Sequence, residues 1–304
     1  MIKKIDLLII GGGPAGISAA IWAKRLGLHH LLLEARDELG GQLTSIYNRI
    51  IDYPGIIGEN GQALKDHFIQ HSREIGVNYV THCPVSTIDW DTRVLKSHSN
   101  QTYKFRSILI STGSSPRRLD VPGEQEMINR NEVYSATRDR EKFKGKTAAI
   151  VGGGDRAFEG ALLLANAGAT VHLIHRSGKF KARNEYRDPV LEHPSVTVHR
   201  NAVVKEISGA RVKKLTVIEN ESIIHLLVDG IFIRIGVEPN TAPFKDGVIL
   251  DQDGYVICDR VGRTSIPYVY AAGDVCTRPL LSSITSAVGQ GMTAVKCLSF
   301  YLEE

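Results

Sequence analysis

Residues 5–16 read Ile-Asp-Leu-Leu-Ile-Ile-Gly-Gly-Gly-Pro-Ala-Gly. A short apolar run of strand-forming residues stops at a glycine turn, and the residues that follow, 17–25, have the composition of a helix. Strand, Gly-x-Gly-x-x-Gly, helix is the order in which a dinucleotide fold opens. Gly11 permits the tight turn and Gly13 lets the backbone approach a pyrophosphate. Gly16 allows close packing of helix on strand, with Pro14 and Ala15 between them, and the helix N-terminus then stabilises the anion. A second strand at residues 31–33 ends on Glu34, an acid placed to accept hydrogen bonds from a ribose diol.

The pattern recurs. Residues 147–151 (TAAIV) lead into Gly152-Gly153-Gly154-Asp155-Arg156-Ala157 and a helical stretch over 158–167. The strand after it, 170–174, ends on His175-Arg176 in place of an acid, which offers a cation to a 2′-phosphate and favours NADP(H) over NAD(H). Arg156 lies inside the turn, where it either clamps the phosphates or fills their site. Further strands at 108–111 and 268–272 lead to Thr112-Gly113 and Gly273-Asp274, and the Pro/Gly-bearing segments 117–123 and 236–243 mark two crossings between domains. The expected fold is α/β, with two Rossmann-like dinucleotide-binding domains, the second inserted into the first. The first comprises residues 1–116 and 244–304, and the inserted NAD(P)H-binding-like domain residues 117–243.

The rest of the composition excludes more than it assigns. The chain has 304 residues, 42% hydrophobic and 23% charged, too apolar for a disordered protein, and it has no run long enough to span a membrane. Asp6 interrupts the apolar stretch behind the N-terminal lysines, so a secretory signal is not expected and the cytoplasm is the expected compartment. The net charge of +4 is all central: residues 117–243 carry 20 basic and 16 acidic side chains, and the remainder carries 17 of each. Without interleaved aromatics that excess does not suit nucleic acid. The four cysteines, Cys83, Cys258, Cys276 and Cys297, show neither a CxxC nor a metal-ligand spacing. Cys276, close after Asp274 but with no second cysteine in a short loop, reads as an inert packing thiol.

Taken together, these residues resemble the low-molecular-weight thioredoxin reductases, FAD flavoproteins with two dinucleotide domains. The likeness runs through Gly11–Gly16, Gly40-Gly41-Gln42-Leu43, Tyr53-Pro54-Gly55, Thr112-Gly113, the second glycine turn, His175-Arg176, Ala271-Ala272-Gly273-Asp274 and Ile284-Thr285-Ser286-Ala287. It implies that FAD is held by Gly11, Gly13, Pro14, Ala15, Gly16, Glu34, Gly41, Gln42, Leu43, Asp52, Thr112, Gly113, Gly273, Asp274, Ser283 and Ile284. A helix after Ser286 would point its N-terminus at the flavin, where the positive end stabilises the charge of the reduced ring. It also implies NADPH at Gly152, Gly154, Asp155, Arg156, Ala157, His175, Arg176 and Lys181, and a homodimer.

One departure matters most. The family's Cys-Ala-Thr-Cys-Asp reads Ser135-Ala136-Thr137-Arg138-Asp139 here, at the same distance from the second glycine turn. Serine and arginine cannot form a disulfide, so dithiol exchange by this route is chemically impossible. Ser135, Arg138 and Asp139 are the candidate catalytic residues by position, with Arg138 over the flavin; Asp139 reads otherwise as a solvated turn carboxylate or an ion-pair partner of Arg138. Ser177 replaces an expected arginine, Leu281-Ser282-Ser283 replaces Arg-Gln-Ala, and Asp52 stands where asparagine is usual. The expected activity is an FAD-dependent oxidoreductase moving electrons from NADPH to an acidic carrier, a ferredoxin or flavodoxin. The alternatives are a nicotinamide-independent flavoprotein, fed by ferredoxin or holding a second flavin or nucleotide, and a non-catalytic nucleotide sensor.

Overall fold

The computed structural model describes residues 3–302; Met1 and Ile2, part of the N-terminal stretch read above, lie outside it. In chain order the first strands and helices are β1 (Lys3–Ile10), α1 (Pro14–Arg25), β2 (His30–Leu33), α2 (Gly61–Ile75), β3 (Tyr79–Val80), β4 (Val85–Asp89), β5 (Val94–Ser97), β6 (Thr102–Ile110) and β7 (Ser114–Pro116). Next come α3 (Glu124–Asn129), α4 (Ala136–Asp139), β8 (Thr147–Gly152), α5 (Asp155–Asn166), β9 (Thr170–His175), α6 (Asn184–Leu191) and β10 (Val196–Arg200). The chain closes with β11 (Ala202–Ser208), β12 (Lys213–Glu219), β13 (Ser222–Val228), β14 (Gly230–Arg234), β15 (Val237–Pro239), β16 (Val269–Ala271) and α7 (Ile284–Leu302). Among the described residues no helix is long and apolar enough to cross a membrane.

Two compact units result. One holds the residues up to Ser115 and those from Glu238 onward, and the other is Pro116–Val237. The return crossing therefore comes at Val237, six positions before the boundary expected at 243. The Pro/Gly-bearing stretch continues past it into a short 3-10 turn, Ala242–Phe244, whose Phe244 is buried in the first unit's core. The crossings themselves, β7 and β15, pair as a two-stranded ribbon.

In the first unit a sheet runs β3-β2-β1-β6-β5-β4, with β16 also on β6; the pairs among β3, β2, β1, β6 and β16 are parallel, and β5 and β4 extend the sheet antiparallel. From Leu7 onward, alternate residues of β1 enter different cores: Leu7 and Ile9 pack with α1 and α7 residues such as Ile17, Ala20 and Leu298, while Leu8 and Ile10 pack with Phe105, Phe244 and Val256. Burial on both faces is why β1 reads as a continuous apolar run. Register then sets the site. Ile10 lies opposite both Leu33 and Ile110, and Ile110 opposite Ala271, so Gly11, Glu34, Ser111 and Ala272 all leave the sheet at one carboxyl edge.

The second unit repeats the device with a parallel sheet β10-β9-β8-β14, beside an antiparallel three-stranded sheet β11-β12-β13. Gly152 pairs with Arg234 and Val151 with Ile174, which brings the glycine turn, His175 and Arg234 to a common edge.

Candidate functional site

In the first unit the glycine turn is closed on one side and open on the other. A Cβ on Gly11 would lie 2.4 Å from the Ser111 carbonyl oxygen, and one on Gly16 would lie 1.9 Å from that of Gly11. Around Gly13 the nearest atom to such a Cβ is Gly41 Cα at 4.0 Å, leaving a cradle bounded by backbone. Pro14 is the first residue of α1, the position where its missing N–H costs nothing. Glu34 is 6% exposed; its Oε2 accepts from Gly12 N at 2.6 Å and its Oε1 from Arg36 N at 2.8 Å. Each oxygen retains a lone pair that ribose hydroxyls could use.

Gln42 Nε2 donates to Asp274 Oδ2 at 2.9 Å and to Ser114 Oγ at 3.2 Å. Gly273 N donates to Gln290 Oε1 at 2.7 Å, and Gln290 Nε2 donates to Thr277 Oγ1 at 3.0 Å, so α7 holds the Gly273–Asp274 turn in place. The Thr112 hydroxyl is committed to Asn240 O, and Asn240 returns its amide to Thr112 O and its N–H to Gly113 O. Helix α7 begins at Ile284, three residues ahead of a helix that follows Ser286. Ser283 Oγ accepts from Ser286 N and Ser286 Oγ accepts from Ser283 N, both at 3.0 Å, a reciprocal cap that Ser283 supplies from outside the helix. Leu43 turns inward to Ile50 and Leu64, and Asp52 is exposed, its carbonyl facing the Thr285 hydroxyl at 3.5 Å.

In the second unit the turn has the same asymmetry. A Cβ on Gly152 would meet Arg234 O at 2.3 Å, one on Gly153 would meet the His175 ring at 2.2 Å, and one on Gly154 would meet nothing within 4 Å. Gly153 O accepts from Lys181 N at 2.8 Å. Asp155 is taken by Arg183, which donates both its N and its Nε at 2.8 Å. Ala157 is buried, whereas Arg156 and Arg176 are exposed. Arg156 faces Arg234: Arg234 is half-buried, gives its Nη1 to Ile233 O and its Nη2 to Tyr134 O, and forms no ion pair among the described residues. Burial and the neighbouring Arg156 guanidinium both push Arg234 below the ordinary arginine value. Two like charges thus lie near one another beside the second glycine turn, one of them partly desolvated.

The segment Ser135–Asp139 holds the short helix α4 and the residue before it. Asp139 is fully buried and accepts from Arg138 Nη2 at 2.7 Å, Lys142 Nζ at 2.8 Å and Ser135 N at 2.9 Å. Burial alone would raise its carboxyl, but these donors outweigh it and hold the group at about 2. The expectation of a solvated turn carboxylate is corrected; the ion pair with Arg138 is what forms, because three donors in one turn satisfy the charge away from water.

Residues 5–291 match the profile of the pyridine nucleotide-disulphide oxidoreductase family. The chain belongs to this family. Across 99% of its length it is 32% identical to a 34.2 kDa protein in the rubredoxin operon of Clostridium pasteurianum, covering 98% of that protein. It is 34% identical to thioredoxin reductase of Listeria monocytogenes, over 99% of this chain and 95% of that one. Among solved structures, thioredoxin reductase of Lactococcus lactis superposes with a TM-score of 0.81 at 30% identity, covering 98% of this chain and 99% of that one. It is thus a thioredoxin reductase-like oxidoreductase with two Rossmann-like units.

Against the family pattern, the structure gathers Gly11, Gly13, Gly16, Glu34, Gly41, Gln42 and Asp274 in the first unit. Gly152, Gly154, Arg156 and His175 come together in the second. Leu43 and Ala157 are packing residues, and Asp155 and Asp139 are held by cations. Sequence reasoning missed Gln290 and Arg234. Gln290 carries no motif, and Arg234 was findable only as a cation at the carboxyl end of a strand that follows the second turn.

Proposed function

We propose that this chain is an FAD-dependent oxidoreductase that takes electrons from NADPH and delivers them to an acidic carrier protein of the ferredoxin or flavodoxin kind, not by CxxC dithiol exchange. The observation that carries the reading is the Ser135–Asp139 segment. Where thiols would be needed there is an arginine anchored to a buried carboxylate. A fixed cation there suits an acidic partner.

The residues present fit both nucleotides. Gly13 and Gly154 leave the space a pyrophosphate needs, Glu34 has free acceptor capacity for a ribose diol, and Arg156 with Arg234 supplies uncompensated charge for phosphate. Gln42 and Asp274 form a polar pair suited to a ribityl chain, and the capped N-terminus of α7 provides a positive end for the flavin ring. Bound FAD supplies hydride acceptance and electron release; the chain supplies position and field. The protein is proposed to act as a homodimer.

Anaerobic titration with NADPH tests this. Rapid bleaching of the flavin, followed by reoxidation by a ferredoxin or flavodoxin, is the expected result; a flavin that stays oxidised under excess NADPH rejects it. A second reading, a flavoprotein fed without nicotinamide, is favoured by the His175 ring packed against Gly153. Reduction by reduced ferredoxin alone would select it.

A further inference from the structure

The two thiols nearest the carboxyl edge of β16 are not isolated. Val256 N donates to Val275 O at 3.0 Å, drawing the segment 255–258 alongside the turn after Asp274. This brings Cys258 beside Cys276, across seventeen intervening residues, on the edge of the same apolar cluster, where each thiol shifts the other's titration. The reading of Cys276 as a thiol without a partner is therefore corrected. Cys276 also donates to Gly273 O at 3.3 Å. Both residues are half-buried, and both remain free thiols.

The geometry points to a redox-active dithiol, Cys258 and Cys276, that reduces small disulfides at a site separate from Ser135–Asp139. The backbone bond between Val256 and Val275 sets the two cysteines on adjoining segments that face one apolar cluster, an arrangement in which side-chain rotation can bring the sulphurs to a bond of roughly 2.05 Å. The pair is asymmetric. The neighbouring Cys276 holds the Cys258 thiol below its ordinary value, while Cys258 and burial push Cys276 up. Cys258 is accordingly the attacking thiolate.

The exchange balances without any further reactant. Cys258 Sγ attacks one sulphur of R–S–S–R, that bond breaks, and R–S⁻ leaves with the proton given up by Cys258. Cys276 then loses its proton to the second leaving thiolate as its sulphur attacks Cys258 Sγ. The products are two R–SH and a Cys258–Cys276 disulfide; the small disulfide is reduced and the pair oxidised. A dithiol reductant restores the pair by the reverse route. Half-burial admits a small flexible disulfide more readily than one in a folded protein, and the adjacent Asp259 and Asp274 favour a cationic one over an anionic one.

The inference is independent of the flavin reading, since it requires only the chain's thiols. The purified protein is reduced, freed of reductant, treated with cystamine, denatured and alkylated. Two of the four thiols, Cys83 and Cys297, are expected to remain alkylatable, and proteolysis is expected to yield one peptide pair joined through Cys258 and Cys276. In Cys276→Ser the mixed disulfide is expected to accumulate on Cys258, whereas Cys258→Ser leaves Cys276 largely unmodified. Four alkylatable thiols after cystamine, a linkage between other cysteines, or equal trapping in the two variants would overturn it.

Discussion

The Gln42 side-chain amide donates to the Asp274 carboxylate at 2.9 Å, joining residues 232 positions apart. One lies at the start of a 3-10 turn behind β2 and the other just beyond β16, so the bond ties two loops at one carboxyl edge. Hydrogen bonds to a charged group contribute about 1.5–3 kcal/mol when well shielded, and less here, where the pair is partly exposed. Asp274→Ala is expected to lose most bound flavin on desalting and Gln42→Ala only part, read from the flavin-to-protein absorbance ratio. Equal flavin retention in both variants and the parent would remove Asp274 from the site.

The open sides of the two glycine turns separate folding from binding. Gly13→Ala and Gly154→Ala place a methyl in free space, so each variant should fold with a Tm near that of the parent in the same flavin state. Gly13→Ala is expected to be purified without flavin. Gly154→Ala is expected to keep its flavin but lose reduction by NADPH at least tenfold, about 1.4 kcal/mol. Gly16→Ala, with its Cβ 1.9 Å from a carbonyl oxygen, is expected to be insoluble. Circular dichroism melts and stopped-flow absorbance distinguish these outcomes.

Asp139 predicts an acid limb to stability. Its carboxyl sits at about 2 in the folded chain against about 3.9 when unfolded. A lowered value means the contribution is complete above pH 4 and is lost as the pH falls from about 4 to about 2. The amount is about 2 kcal/mol. Asp139→Asn should lower Tm at pH 7 and flatten the Tm-versus-pH curve in that window. An unchanged curve would show that Arg138 and Lys142 find other partners.

Arg156 and Arg234 make an experiment with opposite signs. With no nucleotide present, Arg156→Ala removes a like charge beside a half-buried guanidinium and should leave Tm unchanged or slightly raised. With NADPH it should weaken binding about tenfold and flatten the salt dependence of Kd, as expected for a lost phosphate contact. Isothermal titration at two salt concentrations measures both. A variant that binds NADPH as the parent does would place Arg156 outside the phosphate site.

Much of this was legible because it is local. The strand, glycine turn and helix at 5–25 and 147–166 are each encoded within one short window, and Glu34 and His175 follow at fixed distance. What was not legible depends on contacts far apart in sequence. Arg234 matters only because β14 pairs with β8, and Cys258 only because an irregular segment lies along the turn after Asp274. Asp139 was visible as an acid beside an arginine. Its burial was not, since that depends on Lys142 and the Ser135 N–H arriving in the same turn. The meander β11-β12-β13 also escaped notice, because its strands carry polar residues at alternate positions and no glycine motif.

The inserted unit is tied off at its own base: Arg117 N donates to Gly236 O at 3.0 Å and Arg117 Nε to Val237 O at 3.0 Å. The outer unit is stitched at the cut by Ser115 Oγ to Asn240 Oδ1 at 2.8 Å and by the Thr112–Asn240 bonds. For the outer unit, the guest of more than one hundred residues therefore behaves as a loop with fixed ends, and lengthening a loop adds little closure entropy. The guest in turn has the adjacent termini of a free-standing domain. Residues 116–237 are in this sense a cassette: a short Gly-Ser bridge from Ser115 to Glu238 should leave the outer unit foldable by itself, and the excised segment should fold as a separate protein.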